Sequence, residues 1–201
     1  MPEVKTSKKR PGIEQQQHII LHAAIALFGS KGATAVSITQ VCKAAGVSRD
    51  TFYRCFADKE TLIQHLYQTA VNDHIDAVIR ASNLNYDDQQ WLDEVCNQTI
   101  DAILKQHQIA QFLFIESANP DSYAYQVIQT TYRKVASRMQ QWGREQYGRA
   151  PNKEFFMALL VASQWLVHNA IIKGMSQREV DKAKQAARKL FFAAFSAIQE
   201  G

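Results

Sequence analysis

The sequence is short of residues that interrupt helices: it has four prolines and eight glycines in 201 positions, and the glycines fall mostly between periodic stretches. That scarcity argues against a strand-and-turn architecture. Three cysteines, Cys42, Cys55 and Cys96, make no C-x-x-C pair and leave an odd count. This excludes a disulfide framework and a zinc knuckle, and points to a reducing cytoplasm. The longest uninterrupted apolar run, Phe155 to Ala162, is far short of the roughly 18 residues of a membrane span. The basic residues near the N-terminus lead into no apolar stretch, so neither export nor membrane insertion is expected. G-x-S-x-G, phosphate-loop and dinucleotide fingerprints are all missing, so no enzyme is expected. His18 and His22 have the i, i+4 spacing of metal ligands. However, they face away from the apolar stripe of their helix and have no third ligand nearby, so no metal or cofactor is expected.

What is present is ordinary for a globular chain, with 46% hydrophobic and 21% charged residues. The expected class is all-α, about nine helices. Charge is unevenly placed. Residues 1 to 60 carry nine Lys/Arg against five Asp/Glu, whereas the other 141 residues carry fourteen of each. The net charge of +4 therefore belongs to the first third, as in a chain with one polyanion-binding module and one neutral module.

That first third divides into short helices. Ile20, Ala24, Leu27 and Phe28 recur at helical spacing, and Gly32 ends the run. Ser37 and Gln40 have the spacing of a capping box, followed by Ile38, Val41, Cys42 and Ala45 on one face. Gly46 suits a left-handed helix terminus and Ser48 can cap a third helix starting at Arg49. On a helical wheel Phe52 and Cys55 share one arc, while Arg49, Asp50, Tyr53 and Arg54 share the opposite one. Asp58 caps a fourth helix, whose N-terminal amides and Lys59 suit a phosphate. Two short helices joined by a glycine turn make a helix-turn-helix pattern.

The stretch SITQVCKAAGVSRDTFYRCFADKETL, Ser37 to Leu62, closely resembles the DNA-binding signature of the tetracycline-repressor (TetR) family of bacterial transcription factors. The resemblance rests on the A-G-V-S turn ending at Ser48, the T-F-Y-x-x-F run from Thr51 to Phe56, and the D-K-E-x-L helix start at Asp58. It covers residues 13 to 62. By this resemblance, Arg49 lies where the family contacts bases, and Thr51, Tyr53 and Lys59 match phosphate-contacting positions. Ser37 and Thr39 meet the backbone across the groove, Ser48 and Arg54 complete the DNA-facing set, and Phe52 and Phe56 match core positions. Two positions depart from the family pattern. Asp50 stands where a small residue is usual and is expected to pair with Arg54; Cys55 replaces a commoner aromatic or histidine and is expected to pack. The basic arm KTSKKR before Pro11-Gly12 either enters a minor groove or is a tail without a defined contact.

Beyond residue 62 the pattern predicts helices near 59 to 80, 88 to 106, 109 to 117, 121 to 147, 152 to 173 and 176 to 199. The expected organisation is a basic arm (1–12), a helix-turn-helix domain (13–58) and a ligand-binding and dimerisation domain (59–201). FFMALLVASQWLVHNAII is apolar all round and must be covered from two directions. The last helix presents Val180, Ala183, Ala187, Phe191, Ala194 and Ile198 as one stripe, read as a dimer interface; in the family the last two helices form that interface. Candidate effector-binding residues are Phe112, Glu116, Tyr125, Tyr132, Gln164, Trp165 and His168, polar or aromatic groups on otherwise apolar helices. The resemblance implies a cytoplasmic homodimer that represses a palindromic operator on double-stranded DNA and is released by a small-molecule effector. The alternative is an architectural or cell-division factor of the same fold that acts through a protein partner, without inducer.

Overall fold

The computed structural model describes residues 12–67 and 84–200. Among the described residues every regular element is an α-helix: α1 (Ile13–Lys31), α2 (Ile38–Ala45), α3 (Arg49–Cys55), α4 (Lys59–Tyr67), α5 (Gln89–Lys105), α6 (His107–Glu116), α7 (Tyr123–Tyr147), α8 (Lys153–Ile172) and α9 (Gln177–Glu200). The basic arm and the expected continuation of α4 from residue 68 lie outside the described residues. The chain divides into two compact units, up to Ile63 and from Gln64.

In the first unit α1 packs against α2 and α3. Ile20, Ala24 and Phe28 repeat every four residues on α1 and are buried with Val36, Val41, Phe52, Phe56 and Leu62. Both halves of the capping box at α2 form: the Ser37 hydroxyl accepts from the Gln40 amide, and the Gln40 side chain accepts from the Ser37 amide at 2.8 Å. α2 ends at Gly46, whose φ of 65° lies in the left-handed region that side-chain-bearing residues avoid. The Val47 amide bonds back to the Cys42 carbonyl at 3.0 Å, closing the turn that aims α3.

In the second unit α8 packs on α7 and α9, and α9 also packs on α5. Tyr86, Trp142, Phe156 and Phe195 form an aromatic core in which the Tyr86 and Phe195 rings stack at 4.4 Å between centroids. The Trp142 indole donates to the Leu84 carbonyl at 3.0 Å, so its polar atom is satisfied inside that core. A second cluster gathers Ile100, Ala110, Val167, Ile171 and Ala187. Lys184 to Asp101 (2.6 Å) and Arg188 to Asp93 (3.2 Å) tie α9 to α5 at the rim.

The structure changes two sequence expectations here. Ala183, Ala187, Phe191, Ala194 and Ile198 are buried inside the subunit, with Val180 half-buried beside them. A stripe already covered by its own chain cannot also be the dimer face; it looked self-associating because core and interface stripes have the same spacing and composition. The outward apolar side chains of these two helices are instead Phe155, Val161, Trp165 and Ile172 on α8 with Leu190 and Phe192 on α9. By length and composition α8 would pass for a membrane span, with a mean hydropathy of 1.7, which counting uninterrupted runs had missed. Its inner face, with Phe156, Val167 and Ile171, is core.

Candidate functional site

The α2–turn–α3 segment presents the side chains singled out by sequence. Ser48 caps α3 by accepting from the Thr51 amide at 3.1 Å, and the Ser48 and Thr51 hydroxyls share a hydrogen bond of 2.9 Å. Ser37 is engaged likewise in the cap of α2. Arg49 is exposed but positioned: its guanidinium donates to the Thr39 hydroxyl at 2.8 Å and the Tyr53 hydroxyl at 3.1 Å, and lies 5.6 Å from the Tyr53 ring centroid. Phe52, on the opposite face, is fully buried and meets Tyr53 edge to face. The helix therefore anchors one ring and leaves a cation, a phenol and hydroxyls outside, a surface able to bond both phosphates and base edges.

Three side chains have surroundings within the chain that the sequence did not indicate. The Arg54 guanidinium donates to the Gln16 side chain at 2.6 Å, while Gln17 donates to the Cys55 carbonyl, so this end of α3 is fastened to α1. Asp50 consequently has no Arg54 partner, and among the described residues its carboxylate makes no ion pair. The Lys59 ammonium donates to the carbonyls of Ala33 (2.8 Å) and Val36 (3.1 Å), joining the start of α4 to the α1–α2 connection. At the same helix start the Asp58 carboxylate caps α4 as expected, accepting from the Thr61 amide at 2.7 Å, a bond that lowers its pKa. Cys55 is half-buried, and loss of solvation raises its thiol pKa, as expected of a packed thiol. Among the described residues no three His, Cys, Asp or Glu side chains gather as a metal site.

The second unit contains a cavity of about 170 Å³ between the aromatic core and the second cluster. Leu92, Val95, Cys96, Thr99, Ile100 and Ile103 from α5 form one wall. Tyr132, Val135, Arg138 and Met139 from α7 face them, and Tyr86, Phe114 from α6, Leu160, Ser163, Gln164 and Val167 from α8 and Ala187 and Phe191 from α9 line the rest. The Tyr132 hydroxyl donates to Gln164 at 2.5 Å, and Gln164 donates onward to the Ser117 hydroxyl at 3.4 Å. Burial raises the Tyr132 pKa, which keeps the phenol a donor. Cys96 is likewise pushed up to about 11 by desolvation, a neutral thiol in an apolar wall.

Of the seven effector candidates, Tyr132 and Gln164 line this cavity; Phe112, Glu116, Tyr125, Trp165 and His168 do not. Trp165 is 63% exposed on the outer face of α8, and Phe112 is buried outside the cavity wall. His168 packs edge-on against Phe114, with its Nε2 buried and unpartnered and its pKa lowered by desolvation. Sequence reading missed Thr99 and Arg138. Both interrupt apolar helical stripes, Thr99 between Cys96 and Ile103 and Arg138 three residues after Val135, and that interruption was the available signal.

An exposed, pre-positioned short helix after a glycine turn, among described elements that are all helices, is a helix-turn-helix arrangement. Residues 20–66 match the model of the bacterial regulatory proteins of the tetR family. It is 37% identical over 60 residues to the HTH-type transcriptional regulator AcrR of Shigella flexneri. That match covers 30% of this chain and 27% of AcrR, so the chain spans about a quarter of that relative. The fold matches the fatty acid degradation regulator FadR from Bacillus halodurans with a TM-score of 0.71 at 18% identity, covering 92% of this chain and 97% of that one. It also matches SmeT, the repressor of the Stenotrophomonas maltophilia multidrug efflux pump SmeDEF, with a TM-score of 0.68 at 17% identity and 89% of each chain covered. At these identities the structural likeness concerns the fold alone.

Proposed function

We propose that the protein is a cytoplasmic, homodimeric transcriptional repressor that binds a palindromic operator and is released when a small molecule occupies the α5–α9 cavity. The observation that carries this reading is the Arg49–Thr39–Tyr53 cluster. It is an exposed guanidinium held in place by two hydroxyls, on a helix whose other face is anchored by Phe52. Arg49 is proposed to read a base edge, with Thr51, Tyr53, Ser37, Ser48 and Thr39 bonding phosphates around it. Pairing two such helices fits half-sites about one helical turn apart, and the outward stripe of Val161, Trp165 and Leu190 supplies an apolar surface for the partner subunit.

For release, an effector must bind the two conformations of the protein with different affinity. α4 runs past Ile63, the last residue of the first unit, and Lys59 ties its start to the Ala33 and Val36 carbonyls. A shift of α4 would therefore pull on the loop that supports α2. SmeT, which shares this fold, is the repressor of an efflux pump, in agreement with a repressor reading. The test is selection of genomic fragments by the purified protein, followed by footprinting. A palindromic footprint whose preferred base changes with Arg49→Ala is expected; an unchanged preference with that variant would refute base reading by Arg49.

A further inference from the structure

Arg138 is the one charged side chain lining the apolar cavity, among the described residues. It is half-buried, and it makes no ion pair or hydrogen bond with a described residue. It also borders a second depression on the outer side of α7, together with Thr130, Arg133, Lys134, Ser137 and Gln141. That depression gathers three cations and no acid. A hydrocarbon-walled cavity and a cationic strip thus meet at a single guanidinium.

We propose that the cavity takes an amphiphile with an apolar body and an anionic head, the head held by Arg138; this rests on the reading of the cavity as the effector site. The physical argument has two parts. A half-buried guanidinium with no counter-charge among the described residues has lost hydration that none of them replaces, and a carboxylate or phosphate restores it through a charge-assisted, bidentate contact. The rest of the wall is hydrocarbon apart from a few hydroxyl and amide groups, such as Tyr132 and Gln164, already bonded to each other. A sugar-like ligand would leave its hydroxyls unpaired there, and a cationic ligand would face Arg138. About 170 Å³ exceeds a cavity of roughly 150 Å³ that holds benzene, so a body at least that large is accommodated.

The experiment titrates the full-length protein with decanoate, decyl phosphate, decanol and decylamine, reading binding by calorimetry and release from the selected operator. Decanoate or decyl phosphate should bind at least tenfold more tightly than decanol. Arg138→Gln should remove that advantage while leaving decanol binding and operator binding unchanged. A fall for decyl phosphate alone in Arg133→Gln or Lys134→Gln identifies a phosphate-type head lying on the strip. Equal binding of decanol and decanoate, or insensitivity to Arg138→Gln, overturns the head-group assignment but leaves the cavity as the effector site. Decanoate binding that survives Val95→Trp, which fills the cavity, overturns the cavity reading itself.

Discussion

Lys59 separates two accounts of the same residue. If it contacts a phosphate, Lys59→Met leaves one phosphate per subunit without its cation, and the slope of log K against log salt becomes shallower by about 0.9 for each phosphate no longer neutralised. If its task is the one seen in the structure, the loss is internal: two charge-assisted hydrogen bonds, at 2.8 and 3.1 Å, to the Ala33 and Val36 carbonyls. Hydrogen bonds to charged groups contribute about 1.5–3 kcal/mol. Because the site is half-buried, water can reach part of it, which favours the lower end for the pair. With urea m-values of about 1–3 kcal/mol/M, the midpoint should fall by on the order of 1 M. Methionine keeps the length and packing of the stem, so the change reports the ammonium. Urea unfolding followed by circular dichroism gives the midpoint, and operator binding between low and moderate salt gives the slope. The expected result is a lowered midpoint with the slope unchanged. An unchanged midpoint with a shallower slope would refute the structural role and restore the phosphate contact.

Gly46→Val places a β-branched residue at φ 65°, with no atom within 4 Å of the new Cβ, so the cost is backbone strain of roughly 1–3 kcal/mol, measured as a drop in urea midpoint. Phe156→Ala empties a site with no solvent exposure in the aromatic core and should destabilise by about 3–5 kcal/mol; a loss below about 1 kcal/mol would mean the ring is not in that core. His168 should impose a pH dependence. Its folded pKa lies below the ordinary 6.5, so below that pH the unfolded chain binds more protons and stability falls as pH drops. The gap between His168→Phe and the parent in urea midpoint should then widen in the variant's favour from pH 7.5 to pH 5. Parallel pH profiles would show that the imidazole is not held dry.

The helix set and the reading surface were legible because both are local. The capping box at Ser37, the left-handed terminus at Gly46 and the cap at Ser48 depend on residues within five positions of one another. The helix wheel alone separated Phe52 from Arg49 and Tyr53. The helices after residue 84 fell close to their expected bounds for the same reason. Asp58 was legible as the cap of α4, but Arg54 and Lys59 only as charges. Whether those two charges face DNA or their own chain depends on Gln16, Ala33 and Val36, all distant in sequence.

What the sequence by itself determined is therefore the class: all-α, helix-turn-helix, with its positive excess in the first sixty residues. Periodicity, caps and charge placement are properties of neighbouring residues. The tertiary structure decided which apolar stripe is core and which is outward. It turned the Ala183–Ile198 stripe inward and left Val161 and Trp165 outside, because burial depends on which helices pack together. It also decided that Arg138 stands at an apolar cavity, a fact requiring five helices to converge.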